Sequence, residues 1–304
     1  MPLLVAPRLI LLALVTAALL LVGCGERSEP LGELPQAYPV TVRGGGDRTT
    51  TVESRPRRIV ALDPGSADLL AALGAGARLV GVPTGAQVGD SPNVVVSHNG
   101  QVDVDAVVRL EPDLIVSTPA IDQLDAGQAE RRSGAALYVQ PDTSVDDVLQ
   151  GAIELGLLAG EPVRARQLAA RIRSQVERVE AKVAGEQTVS VFVDTGFFIT
   201  IPERSLLGDL IRRAGGTSVA GSAPGPDPFP PVRLRQLAPD VYLATSESRV
   251  TLTQLRADPR TAALAAVRKG RFAVLPSELV LRPGPRVGRA LERVARALHP
   301  DAFR

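Results

Sequence analysis

The side chains that most often bind metal ions or act as nucleophiles are scarce in this chain. It has two histidines, His98 and His299, and a single cysteine, Cys24. A zinc or manganese site needs several imidazole and carboxylate ligands that converge at one point. His98, in the loop Ser97–Gly100, is one candidate ligand, whereas we expect His299 to lie at the surface or to cap a helix. The composition therefore argues against capture of a bare metal ion.

Catalytic motifs are equally hard to find. His98 and Asp103 are close enough in sequence to pair, but the pattern supplies no activated nucleophile. No serine lies in a G-x-S-x-G elbow, and the chain has no P-loop. We predict that the chain is not an enzyme and needs no cofactor, and that any coupled ATP hydrolysis belongs to another subunit.

The single cysteine closes an apolar run near the N-terminus. The run follows Arg8 and ends in Leu-Val-Gly-Cys at Cys24, which is the pattern of a signal peptide. It is shorter than the ~20 apolar residues of a membrane span. The motif resembles a bacterial lipobox, which implies cleavage after residue 23, diacylation of Cys24 and an extracytoplasmic protein anchored to the cell membrane. The alternative is an ordinary secreted protein whose cysteine lies near the cleavage site.

Charge argues against nucleic acid as a partner. Cleavage after residue 23 removes one basic residue, Arg8, and leaves 33 basic and 33 acidic side chains. A nucleic-acid-binding protein usually carries a basic excess on one face. We therefore expect no nucleic-acid partner and no disulfide within the chain, since it has one cysteine.

Short apolar runs alternate with helical patterns over the first half of the chain. Val40–Val42 and Thr49–Val52 flank a glycine-rich turn, which predicts a hairpin. A buried strand at Ile59–Leu62 precedes a helix that Ser66 is placed to cap. Further strands are predicted at 79–82, 94–96 and 114–116, with a short helix at 104–110. This alternation is typical of a mostly parallel α/β sheet.

One long helix separates this pattern from a second one. From Glu161 to Ala184 the chain has no internal Pro or Gly, and apolar residues recur every three or four positions. Strand patterns resume at 189–193, 241–243 and 272–275, and a last helix is predicted at 286–298. We predict an α/β fold with two α/β lobes joined by a single long helix and a ligand cleft between the lobes. The predicted parts are a signal peptide 1–23, a flexible tether 24–37, an N-terminal lobe 38–160, a spanning helix 161–185 and a C-terminal lobe 186–304.

Segments spread over residues 38–304 resemble the substrate-binding proteins of ABC importers for cobalamin, ferric siderophores and haem. Each motif is weak alone, but all occur in the family's order. The matching segments are Arg57–Val82, Asp105–Val116 with L-x-P-D-L, Ser205–Gly216, Phe229–Leu243, Arg282–Arg286 and the ending Leu298-His299-Pro300. The resemblance implies two lobes with a ligand between them and only slight closure on binding.

The resemblance also implies a set of ligand-binding positions on the loops of the cleft. Where corrinoid-binding relatives often have tryptophan, this chain has Asn99 and Leu279, and only Phe229 keeps an aromatic ring. Arginines could instead bind carboxylate, catecholate or propionate groups. The candidate ligand-binding residues are Asp63, His98, Asn99, Phe197, Phe198, Phe229, Glu278 and Arg282, with Arg204 as a further cleft arginine. For each arginine the alternative is a solvated surface charge. For the adjacent Phe197 and Phe198 the alternative is that one ring packs inward and the other is merely exposed.

Family members dock on their permease through an acidic residue at the tip of each lobe. Asp105 matches the first position, but Arg235 stands where the second acid is usual. A reversed charge in a docking pair should weaken association. There are three alternatives. The partner transporter carries a different residue opposite Arg235, Glu247 takes the place of the usual acid, or the protein docks in another way than its relatives.

The expected function is that of a monomeric solute-binding lipoprotein that delivers a metal chelate to an ABC permease and its ATPase subunit. We rank ferric siderophore first because arginines are available and aromatic residues are few, with cobalamin or another corrinoid second and haem third. The alternative is a degenerate member of the fold that acts as an extracytoplasmic interaction or sensing lipoprotein.

Overall fold

A β-hairpin opens the part of the chain that the computed structural model describes, which comprises residues 36–86, 88, 93–96, 100–121, 123–221 and 227–304. Strand β1 (Val40–Arg43) pairs antiparallel with β2 (Thr49–Val52), which confirms the predicted hairpin. Cys24, His98 and Asn99 lie outside the described residues.

The first lobe is built on a five-stranded parallel sheet in the order β5-β4-β3-β6-β7. Its strands are β3 (Ile59–Ala61), β4 (Leu79–Pro83), β5 (Asn93–Val96), β6 (Leu114–Ser117) and β7 (Ala136–Val139). Its helices are α1 (Pro64–Ala72), α2 (Val104–Arg109), α3 (Gln123–Ser133) and α4 (Val145–Leu158). The central strands β3 and β6 are buried along their whole length, as expected for a parallel sheet covered on both faces.

Helix α1 begins earlier than the sequence pattern predicted. Asp63, and not Ser66, is its N-cap: the Asp63 carboxylate accepts hydrogen bonds from the backbone N–H groups of Gly65 and Ser66. Asp63 and Pro64 together form a favourable start, since proline fits the first helical turn. Ser66 is thereby free to donate from Oγ to Oε1 of the buried Gln140, at 2.9 Å.

The predicted long helix is confirmed as α5 (Pro162–Val183), whose seven buried residues lie along one face. It packs against α4 on one side and against α11 (Val287–Leu298), the last helix of the second lobe, on the other. This single helix therefore joins the two lobes.

The second lobe is built on a four-stranded parallel sheet in the order β11-β10-β8-β9. Its strands are β8 (Val189–Asp194), β9 (Gly216–Ser218), β10 (Val241–Thr245) and β11 (Phe272–Leu275). Its other helices are α6 (Leu206–Arg213), α7 (Pro231–Leu237), α8 (Leu252–Ala257), α9 (Ala265–Arg268) and α10 (Ser277–Val280).

One apolar core runs through both lobes, from Val40 in the hairpin past α5 to Leu298 in α11. Two smaller clusters lie on the other faces of the sheets, one in each lobe. Residues 36–304 accordingly form one compact unit. Of the helices in the described ranges, none combines the length and the apolar character that crossing a membrane requires.

Of the two predicted positions of His299, at the surface or at a helix cap, the structure shows the second. It caps the C-terminal end of α11, only 6% of it is exposed, and its Nε2 has no hydrogen-bond partner among the described residues. A Cβ on Gly215 would lie 3.0 Å from this nitrogen. The neighbouring backbone therefore covers the ring.

Candidate functional site

The carboxyl ends of the two parallel sheets meet where the lobes join. Strand order reverses between β3 and β6 in the first sheet and between β8 and β10 in the second. Ligands of open α/β sheets bind at such switch points, beyond the carboxyl ends of the strands. The candidate site is therefore the set of loops that follow these strands.

The lobes touch directly at one corner of this site. Gly65, after β3, faces Gly284, after β11, so closely that a Cβ on Gly284 would lie 3.4 Å from Gly65. Gln140 Nε2 donates to the carbonyl of Pro283 at 2.9 Å, and Arg282 Nη1 donates to the carbonyl of Gly85 at 3.0 Å. Because Arg282 bridges the lobes, one edge of its guanidinium is already engaged in this structure.

Two carboxylates from the first lobe lie close to each other beside this corner. Burial raises the pKa of Asp63, although its two backbone hydrogen bonds and the charge of Arg282 oppose the shift. Burial, followed by the charges of Asp63 and Asp147, raises the pKa of Asp142 to about 6. The site therefore holds one carboxyl group that changes protonation in mildly acidic solution.

We expect Asp142→Asn to stabilise the protein at neutral pH. The folded-state pKa of Asp142 lies above its ordinary value, so its favourable contribution is complete below about pH 4 and is lost as pH rises through about 6. After a discount for partial exposure, the variant should gain about 1 kcal/mol at pH 7 and nothing at pH 4. Urea unfolding at both pH values measures this. Asp47→Asn is the matched control, because the Asp47 carboxylate is 92% exposed. It should leave the free energy of unfolding unchanged at both pH values.

The three candidate phenylalanines occupy different environments. Phe198 and Phe229 are buried, at 7% and 6% exposure, and belong to the apolar cluster of the second lobe. The ring of Phe229 packs 5.5 Å from that of Phe192, and the guanidinium of Arg260 lies 4.8 Å above the ring of Phe198. Phe197 is 88% exposed, so it is the one of the three that presents a whole ring to solvent.

A buried carboxylate that the sequence analysis missed sets the shape of this phenylalanine loop. Asp194, at the end of β8, accepts hydrogen bonds from the N–H groups of Gly196 and Phe198 and from the hydroxyl of Tyr242 at 2.6 Å. Phe197 and Phe198 both have positive φ, at 53° and 64°, which is unfavourable for aromatic residues. Asp194 holds the loop in this conformation. Its position after a β-strand, two residues before a glycine, was the signal available in the sequence.

A cavity of about 1050 Å³ lies between the lobes next to these loops. Thr143 and Ser144, after β7, line it from the first lobe, while Pro202–Arg204 and α6 line it from the second. Its size is at the upper end of ordinary small-molecule sites. Arg204 contributes a cation here. Glu278 is exposed in α10, the short helix after β11, and its backbone carbonyl accepts a hydrogen bond from Arg286.

The two candidate docking residues are exposed. The Asp105 side chain is 66% exposed and forms an ion pair with Arg132 at 2.7 Å. Arg235, on α7, is also exposed and donates to the carbonyl of Arg260 at 3.3 Å. Both side chains are accessible to a partner.

Metal-ligating side chains do not gather in the part of the chain that the structure describes. No group of three or more His, Cys, Asp or Glu residues there is arranged to hold a metal ion.

A family model described as "Periplasmic binding protein" matches residues 59–279. This range runs from β3 in the first lobe to α10, just after β11, in the second, and so includes both sheets. The chain belongs to the periplasmic binding protein family. As a member of this family of solute-binding proteins it is not an enzyme.

Two curated relatives match most of this periplasmic binding protein. The "Uncharacterized ABC transporter substrate-binding lipoprotein YvrC" of Bacillus subtilis is 25% identical over 312 residues, which cover 96% of this chain and 97% of the relative. The cobalamin-binding protein of Halobacterium salinarum is 24% identical over 287 residues, which cover 86% of this chain and 75% of the relative.

Solved structures show that the predicted two-lobed fold is correct. The periplasmic haem-binding protein RhuT of Roseiflexus sp. RS-1 aligns with a TM-score of 0.71 at 23% identity, over 81% of this chain and 99% of that one. The vitamin B12-binding protein BtuF of Vibrio cholerae aligns with a TM-score of 0.72 at 20% identity, over 82% and 98%. At these identities the likeness establishes the fold.

Proposed function

We propose that this chain is the extracytoplasmic solute-binding subunit of an ABC importer and that it carries a metal chelate to the permease. The observation that carries the proposal is the family match over both sheets, together with a substrate-binding lipoprotein relative that spans 96% of the chain. The proposed ligand position is the cleft between lobes 38–160 and 186–304, which the spanning helix 161–185 joins.

For the ligand we keep ferric siderophore first, corrinoid second and haem third. Phe198 and Phe229 are buried and only Phe197 of the three candidate phenylalanines presents its ring to solvent, so these residues offer a macrocycle little aromatic surface on which to stack. Arg282 and Arg204 lie at the site and suit anionic chelating groups. Corrinoid and haem follow because relatives and structural neighbours carry those names.

The proposal is tested by titrating the purified protein with cyanocobalamin, cobinamide, haemin and several ferric siderophores. Ligand absorbance and tyrosine fluorescence both report binding. One of these chelates should bind at micromolar concentration or tighter. No binding by any of them would contradict the proposal and favour an interaction or sensing lipoprotein, for which the arginine at position 235 is the motivating observation.

The N-terminal residues support a lipid tether. Residues 1–23 are proposed as a signal peptide, Cys24 as the acylated residue and 24–37 as a flexible spacer, on the basis of the Leu-Val-Gly-Cys motif. We expect Cys24→Ser to abolish lipid attachment and release the protein, or to leave it unprocessed with its signal peptide intact, because Cys24 is the one proposed acylation site. A variant that is still matured and still fractionates with membranes in the same proportion would refute the tether.

We expect Asp105→Arg to impair docking on the permease. Because Asp105 is exposed and already lies against Arg132, the variant places two cations on the surface that should meet arginines of the transporter. Complex formation should weaken about tenfold while chelate affinity stays constant. Asp301→Arg is the control, since Asp301 is a 75% exposed carboxylate paired with Arg304 at 3.0 Å. Equal effects of the two variants would exclude Asp105 from docking.

Arg235→Glu tests the second docking position, and the direction of its effect depends on the charge of the permease there. The substitution should strengthen complex formation if the permease has a cation opposite Arg235, and weaken it if the permease has an acid there. If neither Asp105→Arg nor Arg235→Glu changes co-purification with the transporter, the docking proposal is wrong.

A further inference from the structure

A basic groove lies between α5 and α11, away from the loops of the candidate ligand site. It is a cavity of about 300 Å³ lined by Gln175, Arg178, Val179, Lys182, Gly288, Arg289, Glu292 and Phe303. Gly288 lets the two helices approach, since a Cβ there would lie 2.5 Å from Oε1 of Gln175. The groove thus brings three cations from two helices around one small cavity.

These three cations have no carboxylate partner in the described part of the chain. Arg178 bonds to the hydroxyl of Ser174 at 2.6 Å, and Lys182 lies 4.9 Å from the ring centroid of Phe303. No ion pair of Arg178, Lys182 or Arg289 occurs among the described residues. The acid that lines the groove, Glu292, is already paired with Arg296 at 2.7 Å. Three positive charges therefore remain unneutralised there.

The basic surface continues along α5 beyond the groove. Arg171, Gln175, Arg178 and Lys182 are spaced four, three and four residues apart, which places them on one side of the helix. Both acids of α5 point elsewhere: Glu180 pairs with Arg213 at 2.8 Å, and by its spacing Glu177 falls on the other side of the helix. The helix thus shows a row of three cations, Arg171, Arg178 and Lys182, on the side that faces α11, with the neutral Gln175 between the first two.

We propose that this groove and row bind the phosphate groups of an anionic lipid surface. After cleavage the chain has equal numbers of acidic and basic residues, so its net charge does not attract it to such a surface. The cations concentrated in the groove and row are what would orient it. A free anion would need only the groove, whereas an extended row of cations is suited to many headgroups in one plane. Each cation near an anionic membrane contributes about 1 kcal/mol.

The proposal rests on the proposed tether in one respect. A lipid on Cys24 would keep the protein at the membrane at high effective concentration, so that even a weak electrostatic contact becomes populated. The test below removes the lipid and uses no chelate. Its failure is therefore distinguishable from failure of the proposed tether or of the proposed importer function.

The experiment measures co-sedimentation of the mature Cys24→Ser chain with phosphatidylcholine vesicles that either contain or lack phosphatidylglycerol. The protein should partition into the anionic vesicles at low salt, and high salt should abolish the binding. Arg178→Gln, Lys182→Gln and Arg289→Gln combined should lower the partition coefficient at least about tenfold. The matched control, Arg57→Gln, Arg109→Gln and Arg268→Gln, removes the same charge from exposed positions elsewhere and should bind like the parent.

Three outcomes would overturn the proposal. The two triple variants could bind the anionic vesicles equally well, or the parent could bind both kinds of vesicle alike. In the third outcome the parent protein binds inorganic phosphate or inositol hexaphosphate in solution but not the vesicles, which would make the groove a site for a soluble anion. The substituted side chains are exposed, so unfolding temperatures should match and loss of fold is excluded as a cause.

Discussion

Replacing Arg213 with leucine should lower the free energy of unfolding by about 3 kcal/mol. This guanidinium is only 15% exposed and joins three helices, because it contacts Asp146 of α4 at 2.6 Å, Glu180 of α5 at 2.8 Å and Asp209 of α6 at 2.8 Å. Asp209 also accepts a hydrogen bond from the N–H of Val145 at 3.0 Å, across the junction of the lobes. Loss of the arginine would leave this buried carboxylate poorly compensated.

Arg212→Leu is the matched control for this prediction. Arg212 also contacts Asp209, but its side chain is 68% exposed, and exposed ion pairs contribute little. Its loss should cost at most about 1 kcal/mol. Urea unfolding of both variants measures the difference. Equal losses would show that Arg213 does not fasten the lobes together.

A second large effect is expected at Gly156, in the last turn of α4. A Cβ at this position would lie 2.2 Å from the Cβ of Ala165 and 3.2 Å from the carbonyl oxygen of Glu161. Gly156→Ala must therefore push α4 away from α5, at a net cost of about 2 kcal/mol even after the gain in helix propensity. Because α5 is the helix that joins the lobes, this contact bears on their relative position.

Two further variants make the Gly156 prediction specific. Gly156→Ala combined with Ala165→Gly removes the opposing Cβ and should recover most of the lost stability, apart from the lower helix propensity of glycine. Gly185→Ala adds a methyl group where no atom lies within 4 Å and should be neutral or slightly stabilising. A Gly156→Ala protein as stable as the parent in thermal and urea unfolding would contradict the close approach.

The elements that the sequence predicted best are those with long or strict periodicity. The amphipathic pattern from Glu161 to Ala184 gave α5 to within a residue at each end. The short β-branched runs at 40–42 and 189–193 gave β1 and β8, which alternate between buried and exposed residues in the first case and are buried from Val191 onward in the second.

Elements with weak patterns were missed. Helix α3 (Gln123–Ser133) is mostly polar and buries only small residues, namely Ala126, Gly127 and Ala129, so its apolar face is hard to recognise. Strand β9 (Gly216–Ser218) contains only glycine, threonine and serine. It is a strand because it pairs with β8, which is a tertiary effect.

The same distinction, between local sequence patterns and tertiary contacts, applies to the candidate site. The position of Asp63 just after β3 followed from the strand pattern, whereas Arg282, which lies beyond α10, was predicted from the family resemblance. That Arg282 reaches Gly85 across the lobes, and that Asp209 reaches Val145, depends on residues far apart in sequence. No local pattern encodes such contacts. The burial of Phe198 and Phe229 likewise depends on Asp194 and on the packing of the second lobe.

The central claim, that a metal chelate is held between the two lobes, is tested most directly by backbone hydrogen exchange. Exchange is measured with and without saturating amounts of each chelate that binds. The account predicts added protection on loops of both lobes, after β3 and β7 in the first and after β8 and β11 in the second. Protection confined to one lobe, or no chelate that binds at all, would contradict it.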